Sequence, residues 1–303
     1  MIINQNIGSF SHVGIVVLNF KGAERTLACL ESLRRVVPAE CLVEVVVVDN
    51  ASRDGSVGHI QDRWPDIHVI ENKKNVGYAG GNNRGAEYLI GKGVDAIWIL
   101  NNDTLVHPAS LSRMIQLLRE RPKVGVVGCV TTVMSRGGVA ALIIGGRLSW
   151  IFGTSRLLST RDGVQGIDFV SGASMLIRRD AWEEVGGLSE DFFLYWEDAD
   201  FSLRIKQQGW ELGTALDAEV QHDESATLGR GSMRQLYYMN REYIRFALLH
   251  SPAPAWTLII GYSLRIVKRL VSGRWWEVWV VLRGMMDGWR GRNAPYRETT
   301  IQF

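Results

Sequence analysis

The stretch VVVVDNASRDGS, Val45–Ser56, decides how the chain is read: four valines in a row run straight into Asp49, Asn50 and Ser52. An unbroken β-branched run is what a strand buried on both faces needs, and the polar residues that follow then stand at its carboxyl end. Working outward, the same design recurs. Val13–Leu18 ends in Asn19, Ile67–Ile70 in Glu71 and Asn72, and Ala96–Leu100 in Asn101, Asn102 and Asp103, with a fifth run at Val124–Val130. Between the runs, apolar residues fall at helical spacing, as in Leu27, Leu30 and Leu33 or Leu111, Ile115 and Leu118. The alternation predicts an α/β fold, a mainly parallel sheet flanked by helices. In such a sheet ligands sit outside the carboxyl ends of the strands. Asn, Asp and Ser also cap helices and shape turns, but four polar strand ends on one edge favour a site.

Further along, the Gly-rich stretch Gly137–Gly166 has no period and predicts hairpins and loops. A strand pair is expected at Ile167–Val170 and Met175–Ile177, a short helix at Asp180–Val185, a helix from near Glu197, and strands at Glu211–Ala215 and Glu219–His222. From Met233 onward three helices are expected, broken at Ser251-Pro252-Ala253-Pro254 and at Ser272-Gly273. The expected organisation is a catalytic domain over 1–232 and a helical extension over 233–303.

Composition excludes other classes. With 46% hydrophobic residues, 32 glycines and 7 prolines in 303, the chain is neither disordered nor collagen-like. A net charge of +2 is no footprint for nucleic acid. The charge is uneven, however: eleven basic and four acidic residues follow Met233, leaving 23 and 28 to the first 232. Cys29, Cys41 and Cys129 show no metal-ligand spacing, and the start MIINQNIGSF lacks the regions of a secretory leader, so a cytoplasmic location is expected. No apolar run approaches the ~20 residues of a membrane span.

VVVVDNASRDGS, NVGYAGGNNRG (75–85), ILNND (99–103) and FFLYWEDADFSLRIKQQGW (192–210) together resemble glycosyltransferase family 2, from about Val13 to His222. That resemblance implies the GT-A fold and an inverting sugar transfer from a nucleotide donor. GASMLIRRDAWEEVGG (172–187) and the basic, aromatic tail look most like the rhamnosyltransferase branch. The implied donor is a TDP- or UDP-sugar, with rhamnose as one candidate, and the implied acceptor a growing glycan or a polyprenyl-diphosphate-linked one. A galactofuranosyl- or N-acetylhexosaminyl-transferase is the alternative within the class. A non-catalytic nucleotide-sugar-binding or assembly subunit is the alternative outside it.

The resemblance also distributes roles. Asp49 matches the base-reading aspartate. Asn75 and Gly77 match a block lining the nucleoside pocket, with Asn19 and Asn82 beside it and Gly80 and Gly81 letting backbone approach the ligand. Asn101-Asn102-Asp103 matches the acidic metal motif with Asn in first place, so Asp103 would hold Mg²⁺ or Mn²⁺ together with substrate phosphates. His222 matches a metal-completing histidine, an alternative being a solvated turn residue. Asp198 matches the general base, with Glu197 orienting it or meeting a sugar hydroxyl. Helical geometry puts Glu197 and Asp200 on one face and Asp198 about 100° away. Trp196 is the candidate for stacking on the acceptor, Phe192 and Phe193 are expected in the core, and Arg230 is a candidate clamp on the diphosphate. In the tail, Arg241, Arg245, Arg265, Lys268, Arg269, Arg274 and Arg283 alternate with Trp256, Tyr262, Trp275, Trp276 and Trp279. This is the composition of interfacial helices and predicts a peripheral contact with the inner face of a membrane. The alternative is packing on the catalytic domain or on a second subunit of a homo-oligomer.

Overall fold

The computed structural model describes residues 10–36, 41–135, 138–223 and 232–295. The first four valine- and isoleucine-rich runs form β1 (His12–Asn19), β2 (Leu42–Asp49), β3 (His68–Glu71) and β4 (Ala96–Asn101), which pair in parallel in the order β3-β2-β1-β4. Helices α1 (Ala23–Leu33), α2 (Ser56–Arg63) and α3 (Gly77–Gly91) connect them. Alternation along β1 divides the core. Val13, Ile15 and Val17 face α1 and α4 (Ser110–Glu120) through Leu30, Leu111 and Ile115, while Val16 faces α3 through Leu89.

Beyond β4 the sheet is mixed rather than parallel. After the short β5 (Thr104–Val106) and β6 (Val124–Ser135), the hairpin β7 (Gly138–Ser149) and β8 (Thr154–Ser159) folds antiparallel onto β6, as hairpins were expected there. β9 (Ser174–Arg178) runs antiparallel between β4 and β6. The expected partner strand at Ile167–Val170 does not form. Phe169 makes a single bridge to Gly146, and its ring enters a third core cluster, so this segment crosses the hairpin instead of extending along a neighbour. The two strands foreseen between Glu211 and His222 are one, β10 (Glu211–His222), parallel to β6 and irregular between Ala215 and Glu219. There the Glu219 carboxylate accepts from Thr132 Oγ1 at 2.6 Å, pinning the shifted register.

Helices α5 (Arg179–Val185) and α6 (Glu197–Gln207) follow β9 in space, and α7 (Met233–His250), α8 (Pro254–Val271) and α9 (Trp275–Trp289) break where the Pro and Gly pairs stand. α7 packs into the third cluster, where Tyr243 and Phe246 meet Phe169, Phe192 and Trp196. No helix among the described residues is long and apolar enough to cross a membrane.

Candidate active site

The polar strand ends converge. Asp49, at the end of β2, is buried, and three hydrogen bonds hold its carboxylate: Asn19 Nδ2 to Oδ1 at 2.7 Å, Ser52 Oγ to Oδ1 at 2.5 Å and Ser52 N to Oδ2 at 2.9 Å. A carboxylate has about four acceptor positions, so one remains, on Oδ2, for an outside donor. Asn19 is thus a brace for Asp49, itself fixed by Thr26 Oγ1 at 2.9 Å. Around this group Lys21, Ala51 and Arg53 have left-handed backbone, with φ of 51°, 60° and 52°. Such non-glycine geometry concentrates where function needs it.

Asn50, a polar strand-end residue to which the sequence assigns no role, organises the next loop. Its amide donates to Asn75 Oδ1 at 3.1 Å and to Gly77 O at 2.8 Å, and its Oδ1 accepts from Asn72 Nδ2 and Val76 N. Asn75 accepts from Gly77 N at 2.9 Å. Gly77 has φ +82°, and a Cβ there would sit 2.5 Å from Phe193 O, so only glycine lets this turn meet the 192–196 segment. Gly81 has another use than the expected ligand approach: a Cβ on it would collide with Leu18, so it seats α3 on β1. Asn82 is fully buried, donates to Tyr78 O at 3.0 Å, and its Oδ1 has no partner among the described residues.

The Asn101-Asn102-Asp103 turn splits by direction. Asn102 points to α1, donating to Thr26 Oγ1 at 2.9 Å, and so is part of the scaffold. Asp103 lies 3.1 Å from His222 Nε2, and Asn101 Nδ2 is 3.4 Å from the same nitrogen. His222 is therefore gathered to Asp103 by β10 and is no solvated turn residue. No group of three or more His, Cys, Asp or Glu among the described residues forms a metal cage. One carboxylate and one imidazole nonetheless suit a hard or borderline divalent ion that takes its remaining ligands from a diphosphate.

At the other side stands the start of α6. Asp198 Oδ2 accepts from Gly172 N at 2.9 Å and Oδ1 from Ala199 N at 2.8 Å. Burial raises its pKa above the ordinary aspartate value, and the backbone donors only partly offset this. Glu197 is buried, its Oε2 without a partner among the described residues, and burial first, then the charge of Asp198, pushes its pKa well up. Asp200, one turn along from Glu197, is committed to Arg204 Nε at 2.8 Å and His250 Nε2 at 2.7 Å. Trp196 does not face a ligand. It has φ 72°, is 6% exposed, donates from Nε1 to Met239 O at 3.0 Å and packs at a tilt against Phe246 with ring centroids 4.6 Å apart, so its ring is core. Phe192 and Phe193 are core, as expected. Arg230 lies outside the described residues.

Tyr78 links the two sides and was missed in the sequence, where a tyrosine on an apolar helix face reads as core. Its hydroxyl donates to Gly172 O at 2.6 Å, and its pKa is driven up by burial and then by the charges of Glu197, Asp198 and Asp103.

The mixed sheet has the GT-A fold of solved glycosyltransferases. Among solved structures, the chain superposes on the mannosyltransferase PcManGT from Pyrobaculum calidifontis in complex with GDP-Man and Mn²⁺ with TM-score 0.58 at 16% identity, covering 94% of this chain and 76% of that one. On GalNAc-T7 with UDP, GalNAc and Mn²⁺ the TM-score is 0.61 at 15% identity, over 81% and 52% of the two chains. Residues 13–186 match the glycosyl transferase family 2 model, and the chain belongs to that family and is a glycosyltransferase. It is 28% identical, over 80% of its length and 86% of the other's, to the N-acetylglucosaminyl-diphospho-decaprenol L-rhamnosyltransferase of Mycobacterium tuberculosis. It is 24% identical to the low-salt glycan biosynthesis hexosyltransferase Agl10 of Haloferax volcanii, over 91% and 85% of the two chains.

Proposed function

We propose that this enzyme transfers a sugar, with rhamnose the first candidate, from a TDP- or UDP-sugar to a lipid-linked glycan acceptor with inversion at the anomeric carbon. The observation that carries this reading is the meeting of Tyr78 and Asp198 at Gly172, whose C=O accepts from the Tyr78 hydroxyl and whose N–H donates to Asp198, with the charges of Glu197, Asp198 and Asp103 acting together on that hydroxyl. This supports a base and a diphosphate-side carboxylate acting around one space. Asp49 Oδ2 accepts the imide N–H shared by thymine and uracil. Asp198 takes the proton of the acceptor hydroxyl, its burial making it a stronger base than an exposed aspartate. Glu197, whose pKa is pushed well up by burial and then by the charge of Asp198, meets a sugar hydroxyl. A divalent cation, when bound by Asp103 and His222, supplies positive charge against the leaving diphosphate. The rhamnosyltransferase relative, whose name states a diphospho-decaprenol acceptor, supports the lipid-linked choice.

Titration calorimetry with TDP, UDP and GDP tests the donor assignment. TDP and UDP are expected to bind more tightly than GDP, and Asp49→Ala to weaken them by about tenfold; preference for GDP would overturn it.

The division at residue 232 and the membrane contact are part of the same proposal, but the tail works differently from its composition. Arg241 is buried against Glu242, Arg245 reaches Asp191 O, Arg265 covers the Tyr243 ring at 3.8 Å, and Arg269 and Arg274 pair with Glu277. These five arginines have partners within the protein, Arg274 with 43% of its side chain exposed, while Lys268 is exposed. The large outward groups are apolar: Trp256, Ile259, Trp275, Trp279 and Trp289 are 58–71% exposed. Between α8 and α9 opens a cavity of about 620 Å³ lined by Leu258, Ile266, Met285 and Trp289. Contact with a membrane would thus be chiefly hydrophobic. In flotation assays the protein is expected to rise with neutral as well as anionic vesicles, with little loss in high salt; failure to float with either ends the membrane reading.

A further inference from the structure

The segment from Asp191 to Trp196 delivers both acidic residues of the proposed site, and it does so through an unfavourable turn. Tyr195 and Trp196 are consecutive non-glycine residues with φ of 73° and 72°. A bulky side chain in the left-handed region persists only where its surroundings over-determine it. This turn sets the first residue of α6 and hence the directions of Glu197 and Asp198.

Two elements hold it. On one side α3 receives it, with Tyr78 N donating to Phe193 O at 2.8 Å. On the other side α7 grips it repeatedly. Trp196 Nε1 donates to Met239 O, the Phe193 ring stacks on Tyr238 at 5.5 Å and faces the Arg241 guanidinium at 5.6 Å, and Arg245 donates to Asp191 O. Phe193 is thus held at its ring by α7 and at its C=O by α3. Glu242 is 1% exposed; Arg241 Nε donates to it at 2.8 Å, and Arg245 Nη1 is 3.4 Å away. Arg241 in turn lies over the Tyr238 ring at 4.9 Å. A buried ion pair adds little stability over well-packed apolar residues of the same volume, so direction is what this one contributes.

We propose that Glu242 is a positioning residue for sugar transfer: by holding Arg245 at Asp191 O and Arg241 over the Phe193 ring it fixes the turn at Tyr195 and Trp196, and with it the aim of the Glu197 and Asp198 carboxylates. The inference rests on the reading of Asp198 as general base. It makes α7, which lies outside the residues matched to the family, part of the catalytic apparatus.

The test compares wild type with Glu242→Leu and with the double variant Arg241→Met/Glu242→Leu. The single variant leaves Arg241 buried without its carboxylate and is exposed to misfolding; the double variant removes both charges at similar volume and keeps the fold. Turnover is read as TDP release from TDP-rhamnose with N-acetylglucosaminyl-diphospho-decaprenol, and amide hydrogen exchange is read over 191–198 in the absence of substrate. For the folded double variant, kcat is expected to fall about tenfold or more while donor KM and TDP affinity stay within roughly threefold of wild type. Exchange across 191–198 should quicken by about tenfold, while that of β1 and β4 holds. Unchanged exchange in this segment would overturn the proposal whether or not turnover falls, and so would faster exchange with wild-type kcat. Wild-type turnover by Asp198→Asn would instead remove the base assignment, so the two failures are distinct.

Discussion

Asp198→Asn is expected to lower kcat by about two to four orders of magnitude while leaving TDP and UDP affinity near wild type. The amide offers one oxygen in place of two, so it keeps only one of the bonds from Gly172 N and Ala199 N. What disappears for catalysis is the basic carboxylate oxygen. Because burial raises the pKa of Asp198, wild-type kcat should fall as pH drops through that raised value, since the protonated acid accepts no proton. The variant should lose this acid limb. Single-turnover kinetics over pH 4–8 check both statements, and retention of a tenth of wild-type kcat would remove Asp198 from the base role.

Asp103→Ala is expected to abolish the enhancement of TDP and UDP binding by Mn²⁺, with metal affinity falling on the order of 100-fold or more. The protein side of the proposed ligand set is short: Asp103 and His222 stand 3.1 Å apart, with Asn101 in place of a second acid. Removing one of two protein ligands leaves an imidazole, which binds Mn²⁺ weakly alone. Calorimetry with and without Mn²⁺ reads the result directly. An unchanged Mn²⁺ effect in Asp103→Ala would relocate the metal.

The two predictions differ in how far the sequence carries them. Asp103 ends an apolar run and stands where the strand rule puts ligands, and Asp198 sits in a distinctive acidic block. His222 could be paired with Asp103 only by resemblance, because 118 residues of chain separate them. The structure brings them together through β10 lying antiparallel to β5, which follows the Asp103 turn. Tyr78 carried no such mark, and Asn50 stood at a strand end with nothing to assign it a role. A tyrosine and an asparagine have many uses, and theirs appear only when Gly172 and the Gly77 turn are seen against them. Trp196 misled for a backbone reason. Its left-handed conformation turns the ring away from the site, and side-chain identity says nothing of φ.

By itself the sequence determined the strand and helix rhythm of the first half, the polar carboxyl edge and the breaks between the tail helices. These depend on short-range patterns: runs of β-branched residues, helical spacing, and Pro and Gly where no helix continues. Tertiary structure alone decided the antiparallel insertion of β9 between β4 and β6, the bracing of Asp49 by Asn19 and Ser52, and the commitment of the tail's arginines to internal partners. Each of these joins residues far apart in the chain or turns on the direction of a side chain. Local propensity cannot encode such pairings, because their free energy exists only once both partners are in place.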